Sequence, residues 1–229
     1  MANQEDGISR GFYSGLVDFS GVIKPRGYFR QSLWSDKPMI YIGTYISNRW
    51  NNNKLSIDAL PSWNYRDNQI IKVVCYTNAF KARLELNGEV VGEEKNYNSD
   101  TGIISWDIPY KSGKLEAIGL NNDNKEVSRY TITSSKRPYA LKAKTETNLI
   151  NRDKGVAQIM VEVVDENGIP VMLSDNEITC SISGPGKVLG LEAGNNRDMV
   201  DYTDNKQRVF QGKIAIYIQA VGKTVPYKC

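Results

Sequence analysis

From Met39 onward the chain is written in short apolar runs of strand length, each closed by turn-forming residues. "MIYIGTYI" (39–46) is followed by "QIIKVVCYTN" (69–78) and "KARLELNGEVVGEEK" (81–95). In the last of these, Asn87-Gly88 sits between apolar alternations, which is the strongest short-range signal for a β-hairpin. The period of two puts Leu84 and Leu86 on one face and Arg83 and Glu85 on the other. "GIISWDIPY", "GKLEAIGLNN" and "KEVSRYTIT" extend the pattern to residue 133, and the polar, Asn-rich stretch 47–62 reads as a loop. "SSKRP" (134–138) has the composition of a domain boundary. Beyond it the spacing restarts with "YALKAKTE", "GVAQIMVEVVDENGIPV", "NEITCSISGPGKVLG" and "KQRVFQGKIAIYIQAVG", with turn chemistry in "DENG" (165–168) and "GPG" (184–186). Short strands at this spacing predict an immunoglobulin-like β-sandwich in each half, over 39–135 and 136–229. The second half ends soon after its last long strand, so a closing edge strand is expected to be missing.

One stretch breaks the pattern. Pro25 suits the first turn of a helix, where its absent N–H costs nothing. Tyr28, Phe29, Leu33 and Trp34 then recur at helical spacing and form an aromatic face. Pro38 forces the residue before it out of the helical region, which ends the segment. The whole is mainly β, with two sandwiches in tandem behind a short N-terminal helix.

The composition removes several chemistries. The 229 residues contain no histidine, so the commonest general base and metal ligand are both absent. The three cysteines, Cys75, Cys180 and Cys229, lie far apart and form no metal-binding pair; Cys75 and Cys180 read as buried thiols. A net charge of +3, without a basic run, argues against nucleic acid. No apolar run reaches the ~18 residues of a membrane helix, and "MANQEDGISR" has no signal-peptide core. The acidic pairs Glu5-Asp6, Glu93-Glu94 and Asp165-Glu166 point to opposite faces of an extended chain, so they do not converge as glycosidase carboxyl groups must. "DENG" lacks the calcium-loop ligand pattern, and "GPGKVLG" is not a phosphate-binding loop. No catalytic, cofactor-binding or metal-binding residue is assigned. Aromatic side chains remain: Trp50, Trp63 and Tyr65, in or beside loops, are the candidates for facing a sugar.

Residues 63–95, "WNYRDNQIIKVVCYTNAFKARLELNGEVVGEEK", resemble the sandwich domain that follows the catalytic barrel in glycoside hydrolase family 2, the β-galactosidase group. The resemblance runs through Trp-Asn, the strand ending in Tyr-Thr-Asn and the Leu-x-Leu-Asn-Gly hairpin, and continues in "WDIPYKSGKLEAIG" (106–119). "VAQIMVEVVDENGIPV", "ISGPGKVLGLEAGNN" and "RVFQGKIAIYIQAVGK" resemble the domain C-terminal to it. One local departure is "VMLSDNE", where relatives carry Pro-x-Ala.

The resemblance implies that 1–38, with "YSGLVDFSGVIKPRGYFRQSLWSDKPMIYI" running on into the first sandwich, is the remnant of a (β/α)8 barrel: its exit loop and last helix. It implies that the chain is a non-catalytic accessory region of a retaining glycosidase that meets carbohydrate through its parent. Such a region would brace an absent barrel, line its cleft and be inactive alone. The parent would be a periplasmic or secreted bacterial enzyme. The alternative is an independent carbohydrate-binding or adhesion module. Without the barrel, Phe29, Leu33 and Trp34 should fold back on the first sandwich or form a patch that recruits a second copy into a homo-oligomer.

Overall fold

The computed structural model describes residues 10–11, 13–47, 55–146 and 150–222. Trp50, Cys229 and the Glu5-Asp6 pair lie outside them. The chain divides into two compact units: Ile23–Ser135, and Lys136–Cys229 together with Met1–Val22. The leading residues and the helix therefore belong to different units.

The unit 23–135 opens with α1 (Pro25–Trp34) and continues through β1 (Ile40–Ile46), β2 (Ile70–Thr77), β3 (Lys81–Leu86), β4 (Glu89–Val90), β5 (Lys95–Asn96), β6 (Ile104–Pro109), β7 (Lys114–Leu120) and β8 (Glu126–Thr133). One sheet has the order β1-β2-β6; the other runs β4-β3-β7-β8, with β5 beside β3. Their inner faces share a core that includes Ile42, Trp63, Val73, Leu84, Trp106 and Leu115. The expected alternation holds in β3, where Ala82, Leu84 and Leu86 are buried and their neighbours are half-exposed. Asn87 and Gly88 both take positive φ, 55° and 86°, as a tight hairpin turn of the right twist requires.

β2 departs from alternation: Val73, Val74, Cys75, Tyr76 and Thr77 are buried in sequence. A strand reads this way when both faces of its sheet are covered. The second cover is α1. Gly27 and Ser32 are buried on its inner side, Tyr28 stacks on Tyr41 at 4.6 Å between ring centres, and Phe29 meets Tyr76 edge-on at 5.5 Å. The aromatic face read from the sequence is thus divided. Tyr28 and Phe29 fold back onto the sandwich, while Leu33 is 42% and Trp34 71% exposed.

The other unit contains β9 (Ala140–Thr145), β10 (Val156–Val164), β11 (Glu177–Thr179), β12 (Gly186–Glu192), β13 (Lys206–Arg208) and β14 (Lys213–Ala220). A four-stranded antiparallel sheet of order β12-β14-β10-β9 faces the two-stranded β11-β13 across a core of Val161, Val163, Ile178, Leu191, Val209 and Ile214. Residues 10–11 and 13–22 are tied to this unit. Arg10 makes two bonds to the Glu192 carboxylate at 3.0 and 3.1 Å, its N–H donates to the Asn196 carbonyl at 2.9 Å, and Gln158 Nε2 donates to the Ser20 carbonyl at 2.8 Å. Asp18 Oδ1 accepts from the N–H groups of Ser20 and Val22 and from the Ser20 hydroxyl, which sets the turn that leads toward α1.

Candidate functional site

The two sequence candidates that lie among the described residues, Trp63 and Tyr65, share one loop of the first unit. Residues 55–65 lie along β1: the Thr44 N–H donates to the Leu60 carbonyl at 2.9 Å, Tyr41 Oη to the Ala59 carbonyl at 2.9 Å, and Tyr76 Oη to the Ser56 carbonyl at 2.7 Å. This approach depends on Gly43, where a Cβ would stand 2.0 Å from the Ala59 carbonyl oxygen. The loop delivers Trp63, Asn64 and Tyr65 to the end of the sandwich.

Trp63 is 0% exposed. Its indole N–H donates to the Lys111 carbonyl at 3.0 Å, and its ring packs against Tyr110 at 5.1 Å and Tyr65 at 6.1 Å. A sugar stacks only on a ring face that solvent can reach, and Trp63 offers none. The structure gives it a core position in place of the expected sugar-facing one, because a large apolar ring with a single N–H donor is most stable in the interior once that donor is met. Tyr65 is half-buried and its hydroxyl lies 2.7 Å from Thr44 Oγ1; burial raises its pKa and the Thr44 bond opposes the rise.

Asn64 was not a candidate, yet it makes the most specific contacts in the loop. Its Nδ2 donates to the Ser135 carbonyl at 2.6 Å, and its Oδ1 accepts from the Ser135 N–H at 3.1 Å. The carboxamide so completes both backbone groups of Ser135, 71 residues away, at the end of the unit. The "Trp-Asn" pair quoted from the sequence was the only available signal, and it did not name the partner.

Among the described residues, the acidic groups with shifted pKa values and the sequential acidic pairs are each engaged by cations or backbone N–H groups. Every carboxyl group among the described residues whose pKa departs clearly from its ordinary value is lowered. Burial alone would raise Asp107, but hydrogen bonds from Lys72 and Ser47, each 2.5 Å, outweigh it. Glu116 is lowered by Lys114, against desolvation, with Arg129 and Thr131 adding to the effect. Glu126 is lowered by Arg129, Asp165 by the Lys136 N–H, and Asp201 by Thr203. A glycosidase acid needs the opposite shift so that it still carries a proton at working pH. Of the sequential pairs, Glu94 is engaged by Lys81 and Glu166 by Lys136, and Asp165 accepts backbone N–H groups within its own turn. The Cys75 thiol is fully buried and its pKa is pushed up by desolvation, which makes it a packing residue.

Residues 141–226 match the family described as glycoside hydrolase family 2 C-terminal domain 5, and residues 68–128 match a domain of unknown function. The second unit matches a family 2 C-terminal domain, and the chain as a whole is similar to the C-terminal region of glycoside hydrolase family 2 proteins. The β-galactosidase BoGH2A of Bacteroides ovatus is 27% identical over 217 residues, which are 94% of this chain and 23% of that protein. A putative β-glucuronidase of Formosa agariphila is 28% identical over 220 residues, 92% of this chain and 19% of the relative. The chain therefore spans about a quarter or less of these relatives' length. A β-glycosidase structure from Bacteroides vulgatus superposes with a TM-score of 0.79 at 28% identity, over 91% of this chain and 25% of that one. A family 2 member from Bacteroides cellulosilyticus shares the fold with a TM-score of 0.82 at 24% identity, over 93% of this chain and 29% of its own. In this family 2 region the sequence motifs have structural tasks. Trp106 of the "WDIPY" motif donates its indole N–H to the Glu93 carbonyl at 2.7 Å, and Tyr110 packs on Trp63.

Proposed function

We propose that this chain is a non-catalytic accessory region that braces the catalytic barrel of a retaining β-glycosidase of the β-galactosidase or β-glucuronidase type. One observation carries the reading: large apolar side chains stay exposed on and just before α1, at Ile23, Leu33 and Trp34. They belong to a helix and its lead-in, seated on the first sandwich by the stacking of Tyr28 on Tyr41 and of Phe29 against Tyr76, and their outward sides are apolar. A surface of this kind is what a missing neighbour would cover. The names and the greater length of the relatives support reading that neighbour as a catalytic barrel, with α1 as its last helix. The chemistry, a covalent intermediate on a barrel carboxylate, would then lie wholly outside this chain.

The test is complementation in trans. BoGH2A truncated to remove the region matched here should show weakened turnover of a chromogenic β-galactoside, and this chain added at micromolar concentration should restore part of it. Leu33→Ser with Trp34→Ser should abolish the rescue. The chain alone should turn over neither galactoside nor glucuronide. Turnover by the chain alone, or rescue indifferent to both substitutions, overturns the proposal. A dimer of this chain that loses affinity on the same substitutions would reassign the surface to a second copy.

A further inference from the structure

β9 is an edge strand in an unusual condition. Among the described residues it pairs with β10 alone, and all six of its residues are exposed. Its two faces differ. Leu141 and Ala143 lie opposite Val163 and Val161, so they stand on the core side of the four-stranded sheet. The facing sheet has only β11 and β13 and leaves them open, with Leu141 54% exposed and Tyr139, just before the strand, 76% exposed. On the other face Lys142 lies opposite Glu162 and Lys144 opposite Met160. Glu162 is already held by Lys213 at 3.0 Å, and neither Lys142 nor Lys144 has an ion-pair partner among the described residues.

An edge strand presents a row of backbone donors and acceptors to any extended chain, and lysines on it select what is allowed to pair. A second copy is selected against. Antiparallel self-pairing centred on Ala143 places Lys142 directly opposite Lys144, and like charges in that position are destabilising. We infer that β9 is an interaction surface for strand addition by a protein segment in which acidic and apolar residues alternate. The acidic side chains would lie beside Lys142 and Lys144, and the apolar ones would cover Leu141 and Ala143. Backbone pairing supplies the affinity, and the two unlike faces fix which way up the guest strand lies. This inference is independent of the bracing role, because it concerns a different strand and a partner of a different kind.

The test uses the whole chain and a fluorescein-labelled peptide, Gly-Val-Glu-Val-Glu-Val-Glu-Gly, followed by anisotropy at low salt. Saturable binding is expected, and none for the peptide with lysine in place of glutamate. Neutralising both cations with Lys142→Gln and Lys144→Gln should weaken binding about tenfold, as the loss of two exposed charge pairs implies. Lys142→Glu with Lys144→Glu should reverse the preference between peptides, with unchanged circular dichroism confirming that the variants fold. A peptide N-methylated at every residue keeps its charges, loses its donors and should not bind. Four results overturn the inference: no binding, binding that survives N-methylation, binding indifferent to the lysine substitutions, or sedimentation showing that a second copy already occupies the edge.

Discussion

The two units solve the same packing problem to different degrees. In 23–135 a three-stranded and a five-stranded sheet enclose the core, and α1 covers the outer face of β2 as well. In the other unit a four-stranded sheet is faced by two short strands, and the core stops short of β9. The first unit closes its core between its own two sheets, although α1 leaves Leu33 and Trp34 open on its outer side. The second leaves part of its core-side sheet face open and keeps a buried amide without a complement among the described residues. Gln207 is the internal example: it is 4% exposed, and among the described residues neither its amide nitrogen nor its amide oxygen has a hydrogen-bond partner. An enclosed sandwich suits a brace that must hold its shape, whereas an open one suits a module completed by contact.

The largest effect that could break this comparison belongs to Trp63. If the first unit is closed around it, Trp63→Ala should destabilise that unit by about 3–5 kcal/mol, the usual cost of deleting a large buried ring. Hydrogen exchange read by mass spectrometry should show β2 and β7 losing protection while β10 and β14 keep theirs. Trp34→Ala is the control, and an exposed site of this kind should change stability by less than ~0.5 kcal/mol. Equal effects of the two substitutions would mean that the loop 55–65 is not part of the first core.

Gln207 gives the next largest effect, of opposite sign and in the other unit. Its neighbour across the strand pair is Ile178, and Val209, two residues along, belongs to the core, so the amide points among aliphatic groups. Gln207→Leu removes an unpaired amide and keeps most of the volume, and it should raise the midpoint of urea unfolding by an amount equivalent to roughly 1 kcal/mol. Exchange should slow in β13 and β14 and remain unchanged in β2. A loss of stability would mean that the amide is satisfied, and the second unit would then be as complete as the first.

The contrast between the units was only partly legible in the sequence. Alternation and turn residues sufficed for the strands, since Leu84, Leu86 and Asn87-Gly88 carry their instructions within a few neighbours. α1 was legible as a helix from Pro25 and the spacing of Tyr28 and Phe29. Its division into a covered and an open side was not, because that depends on Tyr41 and Tyr76, strands away. Trp63 misled for a related reason. A tryptophan beside a polar loop has the same sequence signature whether the loop projects into solvent or lies along β1, and Gly43 decides between the two by admitting the Ala59 carbonyl. The openness of β9 was hidden because Leu141 and Ala143 follow a pattern that promises burial, and only the short facing sheet withholds it.

Acid sharpens the comparison with the smallest effect. Glu116 is buried in the middle of β7, accepting from Lys114 at 2.8 Å and from Arg129 and Thr131 at 3.1 and 3.2 Å. These contacts hold its folded pKa below the ordinary 4.5. A depressed carboxyl pKa contributes stability that is fully present above the unfolded value and is lost as pH falls through the folded one. Glu116→Gln should therefore lower the thermal midpoint at pH 7 by an amount equivalent to about 1 kcal/mol. The gap between variant and parent should narrow as pH drops below ~4.5 and close once the folded carboxyl is protonated. The loss should fall on β7 and β8 and leave β10 and β14 as they were, because Glu116 is bound entirely within the first unit. If the gap stayed constant with pH, the contacts would be packing and not charge, and the first unit would owe its closure to its aromatic and aliphatic core alone.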